Sequence, residues 1–391
     1  MHLTREEEAI LNGEDGQTRQ QLMEILVAVG KVFGAEEMVP IRSAQVSGAS
    51  YKTIGRWGLE WLSSLDATAT VPAILNPVGM DRMRWQEMGI DPAFAENQKA
   101  VIDAYERLGI MLECTCTPYY LAMSEYGDHL AWSESSAVCF ANSVIGARTN
   151  REGGPSALAA AILGRTPSYG LHLVRNRTPE VAIQVEDVPE GVDESWYGAL
   201  GYLAGKMAGN RIPIFTGIRP ARDQLKNLGA AMAATGATAL YHVKDITPEA
   251  RIFHYDIPAD MITITGAEVA DLFTEVEPDA VAIGCPHCSD EELVRIAELL
   301  QGCQVAKPLY IFAARGVISR AADAIRAIEK SGARVYADTC MVVSPALEQY
   351  ETIMVSSGKA LSYVPNMCGA AAVIGTVESC ITTACSKTGR I

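Results

Sequence analysis

The sequence predicts an α/β protein of several domains, in which mostly parallel, doubly wound sheets are flanked by helices. Three observations support this fold class. The chain has 391 residues, which is enough for two or three domains. Hydrophobic residues make up 49% of it and charged residues 20%, a composition typical of globular proteins with a large core. Short apolar segments alternate with helical patterns, and this alternation indicates βα units that build parallel sheets.

The first half of the chain begins with helices. Thr4 and Glu7 have the spacing of a capping box, so a helix should start after Thr4, and a second helix should end near Gly34. Beyond it, short apolar segments that stop at turn residues predict strands, and longer amphipathic segments predict helices. The predicted elements are a strand over 38–41, a helix over 51–65, a strand over 71–75, a helix over 92–108, a strand over 110–113 and a helix over 158–163.

The second half alternates more regularly between the two kinds of element. Strands are predicted over 181–185, 211–215, 240–243, 280–283, 309–313, 334–337 and 352–355. Helices are predicted over 196–207, from about 221, and over 289–300, 319–330 and 345–350. We expect residues 1–180 and 280–391 to form one α/β body, with residues 181–279 as an inserted α/β domain.

The net charge and the polarity of the sequence limit the binding partners and the cellular location that we expect. Lys and Arg number 32 against 47 Asp and Glu, so the net charge is −15. This charge disfavours nucleic acids and anionic membranes as partners, while a local cationic pocket for a small anion is still possible. Residues 1–8 are polar and acidic, so no signal peptide is predicted, and no apolar segment is long enough for a transmembrane helix. We therefore expect a cytoplasmic protein whose ten cysteines are reduced.

Polar or sulfur-containing residues follow four consecutive predicted strands near the C-terminus. The segments are Gly284-Cys285-Pro286-His287-Cys288, Ala314-Arg315-Gly316, Asp338-Thr339-Cys340 and Ser357-Gly358-Lys359. Ligands of open α/β sheets bind outside the carboxyl ends of the strands, so these segments together predict a ligand site. Each cysteine taken alone could equally be a small core residue.

Cys285 and Cys288 form a C-x-x-C pattern that supports more than one kind of site. Ser289 and Glu292 have capping-box spacing, so the cysteines should precede a helix whose dipole lowers a thiol pKa. This arrangement resembles the active site of periplasmic thiol oxidases and leaves a thiol–disulfide oxidoreductase open. A structural zinc site would need a second C-x-x-C or a histidine pair, which the sequence lacks. An iron–sulfur cluster held by distant single cysteines is also open.

The first half has polar loops after strand-like segments as well. Residues 47–51 are small and precede a predicted helix, whose N-terminus would suit a carboxylate or a phosphate or could be a plain cap. Asn76-Pro77 ends another predicted strand. A dense set of polar residues follows, and several of them are expected to face a cleft. They are Glu134, Ser135, Ser136, Asn142, Arg148, Thr149, Asn150 and Arg151.

Seven segments of the chain together resemble the large subunit of the aconitase X family. They span nearly the whole chain, and the run from residue 142 to residue 153 is the most specific. The segments are 43–48 (SAQVSG), 75–77 (LNP), 115–119 (TCTPY), 142–153 (NSVIGARTNREG), 284–287 (GCPH), 338–340 (DTC) and 357–359 (SGK).

The resemblance implies an aconitase-like fold and an iron–sulfur hydro-lyase. It implies that Cys116, Cys285 and Cys340 hold a cluster, expected to be 4Fe–4S with one open iron, with 2Fe–2S as the alternative. Cys114 and Cys288 stay open as ligands, because the familiar aconitases take two ligands from one C-x-x-C. The expected reaction converts (R)-5-phosphomevalonate to trans-anhydromevalonate 5-phosphate in the archaeal-type mevalonate pathway, and the alternative substrate is cis-3-hydroxy-L-proline.

The resemblance also implies the substrate contacts and a partner. The expected substrate-binding residues are Gly48, Ala49, Ser50, Asn76, Pro77, Glu134, Ser135 and Lys359. No catalytic base is assigned to this chain, because family members carry it as a serine on a swivelling domain. Since the sequence has no segment left for that domain, we expect it on a separate small subunit.

Overall fold

The computed structural model describes residues 1–385. The predicted body extends to residue 391, so its last six positions, 386–391, lie outside the described residues. The helices are α1 (Arg5–Leu11), α2 (Gln17–Val32), α3 (Tyr51–Ser64), α4 (Pro92–Arg107), α5 (Ser135–Phe140), α6 (Gly154–Leu163), α7 (Glu194–Ala208), α8 (Arg222–Thr235), α9 (Pro248–Phe253), α10 (Gly266–Ala270), α11 (Asp290–Leu299), α12 (Arg315–Arg320), α13 (Ala322–Lys330), α14 (Gly358–Cys368) and α15 (Val377–Cys385).

The strands are mostly short. They are β1 (Met38–Pro40), β2 (Ser43–Val46), β3 (Ala73–Leu75), β4 (Met111–Cys114), β5 (Leu130–Trp132), β6 (Arg165–Pro167), β7 (Val181–Glu186), β8 (Pro213–Thr216), β9 (His242–Val243), β10 (Met261–Thr265), β11 (Ala280–Cys288), β12 (Leu309–Ala313), β13 (Arg334–Tyr336), β14 (Thr352–Val355) and β15 (Ala371–Ile374).

Three parallel sheets form the framework of the described residues. The first sheet has the order β4-β3-β2-β5, the second β10-β7-β8-β9 and the third β13-β12-β11-β14-β15. Their strand pairs are all parallel, whereas β1 and β6 form a separate antiparallel pair. The predicted α/β class with parallel sheets flanked by helices is confirmed.

Burial of both faces explains why the strands of the third sheet are almost wholly apolar. Val281 and Ile283 pack into the core on one face of the sheet, and Ala280 and Ala282 pack into the core on the other. Successive strand residues point to opposite faces, so a strand covered on both sides needs an apolar residue at each position.

Most predicted elements lie within a few residues of the observed ones, but two differ. The predicted helix over 319–330 is divided into α12 and α13, because Ala321 ends the first of them with non-helical backbone angles. The predicted helix over 345–350 is a single 3₁₀ turn at Pro345–Leu347. None of the helices within residues 1–385 is long and apolar enough to cross a membrane.

Gly284 lies where the regular pairing of β11 with β12 is interrupted, before it resumes at Cys288 and Ala313. The register between β11 and β12 shifts between Ile283 and Cys288. Gly284 has a φ of 105°, and a Cβ atom there would lie 2.2 Å from the carbonyl oxygen of Phe312. Only glycine fits such an approach, and the resulting bulge turns the segment with Cys285 away from the regular ladder.

One pair of cysteines corrects a sequence prediction. All cysteines were expected to be reduced, but Cys303 and Cys385 form a disulfide with a Cα–Cα distance of 6.0 Å. The two residues are 82 positions apart, and the fold alone brings the end of α11 next to α15. The other eight cysteines are free and buried.

Candidate active site

A cavity of about 360 Å³ lies where the first and third sheets end. Its walls come from the loops that follow the strands of these two sheets, as the rule for open α/β sheets requires. Of the residues predicted to hold the cluster or the substrate, Gly48, Ala49 and Ser50 do not line it. The others do: Asn76, Pro77, Cys116, Glu134, Ser135, Cys285, Cys340 and Lys359. The fold therefore brings together residues that are up to 283 positions apart, from Asn76 to Lys359.

Three of the wall residues are free, buried cysteines. Cys116, Cys285 and Cys340 are each no more than 6% exposed. Burial raises the pKa of the Cys340 thiol to about 11 and that of Cys116 to about 12, against an opposing effect of the Lys359 ammonium. It also raises the pKa of Cys285 well above its ordinary value. The three thiols are therefore protonated at neutral pH.

The two neighbouring cysteines lie outside this cavity. Cys114 is buried near Asp338 and Arg82, and Cys288 is buried near Glu292 and Lys226. Cys288 is separated from α11 by the cap Ser289 and lies on β11.

The predicted lowering of a thiol pKa at this helix start is wrong. Burial raises the pKa of both Cys285 and Cys288, because desolvation disfavours the thiolate. Both thiols are free in the structure. The C-x-x-C therefore lacks the acidic, accessible thiol that a thiol–disulfide oxidoreductase uses.

A buried ion pair forms the polar wall of the cavity. The Lys359 ammonium donates to Glu134 Oε1 and, over 3.0 Å, to Ser136 Oγ. Burial alone would lower the pKa of Lys359, but Glu134 raises it well above its ordinary value. Burial would likewise raise the pKa of Glu134, but Lys359 and Asn76 lower it. Both groups are therefore charged at neutral pH.

Asn76 leaves one hydrogen-bonding atom available to a ligand. Its Nδ2 donates to Glu134 Oε2 over 2.8 Å. Its Oδ1 is buried and has no hydrogen-bond partner among residues 1–385. Because a buried acceptor without a partner costs free energy, this oxygen is suited to accept from a bound molecule.

Two further charged residues line the wall: Arg151, which is one of the polar residues expected near a cleft, and Glu152, which was missed. Arg151 is exposed, and no carboxylate of residues 1–385 forms an ion pair with it. Glu152 is buried and accepts from Ser156 Oγ over 2.6 Å and from Thr166 Oγ1 over 3.0 Å, and burial raises its pKa. The polar segment after residue 134 was a signal for both, but the sequence does not tell which of its side chains face the cleft.

Other members of that segment have structural roles. Asn142 Nδ2 donates to the carbonyl oxygens of Thr149 and Ala239, and Asn150 Nδ2 donates to that of Tyr169. These bonds hold the loop that carries Arg151, and they keep the amide groups away from the cavity. Ser47, Ser133, Val342, Val343, Tyr363 and Met367 complete the lining.

The predicted helix start at Gly48, Ala49 and Ser50 directly follows the wall residue Ser47. Tyr105 Oη donates to the Gly48 carbonyl over 3.3 Å, and Gln98 Nε2 donates to that of Ala49 over 2.8 Å. Ser50 Oγ donates to the Val343 carbonyl over 3.1 Å. These bonds fix the start of α3 against the cavity wall.

Comparison with known proteins matches three consecutive segments of this chain to domains of one family. The first domain of aconitase X matches residues 1–175, the second domain matches residues 179–274 and the third matches residues 278–386. The crystal structure of aconitase X from Thermococcus kodakaraensis, in its holo-form, superposes with a TM-score of 0.90 at 44% identity. The match covers 98% of this chain and 100% of that one.

Two curated relatives differ in substrate. The phosphomevalonate dehydratase large subunit of Methanosarcina mazei is 56% identical over 97% of this chain and 96% of its own length. The cis-3-hydroxy-L-proline dehydratase of Pseudomonas aeruginosa is 34% identical over 96% of this chain and 69% of its own length. The chain belongs to the aconitase X family and is an enzyme, a dehydratase of the hydro-lyase class.

Proposed function

We propose that the chain is the large subunit of an enzyme that dehydrates (R)-5-phosphomevalonate to trans-anhydromevalonate 5-phosphate in the mevalonate pathway. The observation that carries this proposal is the single cavity lined by three free thiols and the Lys359–Glu134 pair. The 56% identity to a phosphomevalonate dehydratase large subunit supports the substrate. The second candidate, cis-3-hydroxy-L-proline, is supported by a relative that is 34% identical.

The thiols fit an iron–sulfur cluster better than a single ion. Within the described part of the chain, no group of three Cys, His, Asp or Glu side chains could hold one metal ion. The thiolates of a cluster bind separate irons and therefore stand farther apart around a common space. Cys116, Cys285 and Cys340 surround such a space, and we propose them as ligands of a 4Fe–4S cluster. Three protein ligands would leave one iron open.

Dehydration of a 3-hydroxy acid breaks a carbon–oxygen bond and removes a proton beside a carboxylate. When bound, the cluster supplies a Lewis-acidic iron that assists loss of the hydroxyl group. The ammonium of Lys359 and the free Oδ1 of Asn76 orient the substrate by its charged and hydroxyl groups. Each of these groups is held by Glu134 before the substrate arrives, so little reorganisation is needed.

Arg151 is proposed to bind the phosphate. The charge of Lys359 is balanced by Glu134, so Lys359 alone does not offset the carboxylate and the phosphate of the substrate. Arg151 lies in the same wall without a carboxylate partner among residues 1–385. A guanidinium suits a phosphate because its N–H groups form paired, charge-assisted hydrogen bonds.

The proton acceptor is proposed to come from a small subunit that carries the swivelling domain. The two carboxyl groups in the cavity wall are engaged. Glu134 is paired with Lys359, and both oxygens of Glu152 accept from hydroxyl groups. The name "large subunit" of the Methanosarcina mazei relative supports a partner of this kind.

An anaerobic assay with and without the small subunit tests the proposal. The complex should be brown, contain iron and acid-labile sulfide, and dehydrate phosphomevalonate in preference to cis-3-hydroxy-L-proline. The chain alone should be about 10²–10⁴-fold slower, because a positioned base contributes that much. Full activity of the chain alone would contradict the assignment of the base, and a preference for hydroxyproline would favour the second substrate.

A further inference from the structure

One buried histidine connects the three loops that carry the cavity cysteines. His287 lies two residues after Cys285 and is 0% exposed. Its Nδ1 is 2.9 Å from Thr115 Oγ1, and Thr115 directly precedes Cys116. Its Nε2 is 2.8 Å from the carbonyl oxygen of Thr339, which directly precedes Cys340. Its backbone N–H donates to Cys116 Sγ over 3.2 Å.

The partners determine which ring nitrogen carries the proton. A carbonyl oxygen only accepts, so Nε2 donates to Thr339. In the neutral imidazole Nδ1 then only accepts, so the Thr115 hydroxyl donates to it. Thr115 Oγ1 accepts in turn from the backbone N–H of Thr117 over 3.1 Å and from the Thr117 hydroxyl over 2.9 Å. The imidazole therefore acts as a donor toward one loop and as an acceptor toward the other.

We propose that His287 is a positioning residue that holds the loops of Cys116, Cys285 and Cys340 in the arrangement that binds the cluster. This inference rests on the proposed function for the cluster itself. His287 does not line the cavity, so it acts through the cysteines and does not contact the substrate. Residues beyond the ligands commonly contribute in this way, and their loss costs about 10–100-fold in metal affinity.

The test compares two substitutions of His287 with a matched buried histidine. In H287A, the Thr339 carbonyl and the Thr115 hydroxyl lose their shared partner. In H287Q, an amide can donate to the first and accept from the second, so rescue should be partial. His242 is 1% exposed and contacts the carbonyl oxygen of Arg177 at 2.9 Å, in the second sheet, so H242Q is the control.

Two measurements are made on the full chain with its small subunit. The first is the rate at which a chelator removes iron from anaerobically reconstituted protein, which should rise about 10–100-fold in H287A and less in H287Q. The second is the rate of iodoacetamide alkylation of Cys116 and Cys340 in iron-free protein. It should rise about tenfold in H287A, because loops that open more often expose their thiols. H242Q should match the wild type in both measurements. The melting temperatures of iron-free H287Q and H242Q are measured as well and should be equal.

The outcomes separate this inference from the proposed function. Unchanged alkylation of Cys116 and Cys340 in H287A would overturn the role of His287, whatever the iron content. An equal increase in H242Q would also overturn it, because the effect would then be general destabilisation. Faster alkylation in H287A together with a wild type that takes up no iron would support the link between the loops and refute the cluster.

Discussion

Two of the three parallel sheets end at the cavity, and the second sheet contributes none of the residues that line it in the described part of the chain. The second sheet has the same construction: four parallel strands with helices between them. The difference is that the carboxyl ends of the first and third sheets meet across a common space. The carboxyl ends of one parallel sheet are therefore not enough to form this site. The site forms because the carboxyl ends of two sheets face each other.

The buried cysteines differ in the same way between the two sheets that form the cavity and the second sheet. The free thiols of the cavity come from the first and third sheets, whereas Cys139 packs in the apolar core around the second sheet with Tyr241 and Phe215. All are buried to a similar degree, so burial alone does not distinguish a ligand from a core residue. What distinguishes them is the shared cavity.

Replacing one cavity thiol gives the largest expected effect. Cys340→Ala should remove the cluster and reduce activity below about 1% of the wild type, since even the loss of an outer partner costs about 10–100-fold in metal affinity. Iron and sulfide content and the visible absorption of anaerobic protein measure this directly. The control is Cys139→Ala, in the apolar core around the second sheet, and this variant should retain the iron. If Cys288→Ala lost the iron and Cys340→Ala retained it, the ligand assignment would be wrong.

Two buried lysines make the comparison sharper. Lys359 pairs with Glu134 in the cavity wall, and Lys226 pairs with Glu292 away from it. Replacing either by Met leaves a buried carboxylate without its partner, which should cost about 3–5 kcal/mol of unfolding free energy. Only Lys359→Met should also lower kcat/KM, by about 10–100-fold, because a charge-assisted bond to the substrate contributes about 1.5–3 kcal/mol.

A conservative substitution of Lys359 tests whether its charge alone is enough for activity. Lys359→Arg should recover part of the activity, because a planar guanidinium fits a point-charge site poorly. The readouts are the urea midpoint for stability and steady-state kinetics with iron content held equal. Wild-type kinetics in Lys359→Met at full iron content would remove Lys359 from the substrate site.

Arg151 should have a smaller effect that depends on the substrate. Arg151→Gln is expected to raise KM for phosphomevalonate about tenfold with little change in kcat, because an exposed guanidinium contributes uniform binding of the phosphate. Its effect should shrink at high ionic strength. Arg251→Gln, an exposed arginine near the second sheet, is the control. An equal loss of kcat/KM on unphosphorylated mevalonate would show that Arg151 does not recognise the phosphate.

The sequence predicted the sheets and much of the site because both follow local rules. Strand β12 is hydrophobic and buried at every position. Cys116, Cys340 and Lys359 lie within four residues after the end of a strand, and Cys285 lies on β11 itself. Arg151 and Glu152 were harder to assign, because they lie in an irregular loop whose side-chain directions depend on distant contacts such as that of Asn142 with Ala239.

Two further features depend on contacts that no local pattern encodes. α14 contains Gly358 and Pro365, residues of low helix propensity, so local sequence patterns do not predict it as a helix. The Cys303–Cys385 disulfide joins residues whose spacing in the sequence carries no signal of pairing. α14 packs against β14 and β15, and the disulfide links the segment after α11 to α15, so both features depend on packing around the third sheet.

The smallest expected effect comes from the second sheet, whose helix α7 contacts the helix that carries Lys359. Helix α7 packs against α14, and a Cβ atom on Gly198 would lie 2.9 Å from the backbone nitrogen of Gly358, next to Lys359. Gly198→Ala should therefore displace the start of α14 and lower kcat/KM a few-fold, with an overpacking cost of about 1–3 kcal/mol in stability. Alanine is otherwise favoured over glycine inside a helix by about 0.5–1 kcal/mol, so a loss of stability would be due to the contact.

Gly201 provides the matched control on the same helix. A Cβ atom there would lie 2.3 Å from the carbonyl oxygen of Leu228 in α8, so Gly201→Ala strains a contact between two helices of the second sheet. It should cost similar stability but lower kcat/KM less than Gly198→Ala does, because its Cβ atom would meet the Leu228 carbonyl oxygen in α8 and not the backbone of Gly358. Stability from urea titration and kinetics at equal iron content separate the two variants. If both lowered kcat/KM equally, the second sheet would act on the site through general stability and not through the position of Lys359.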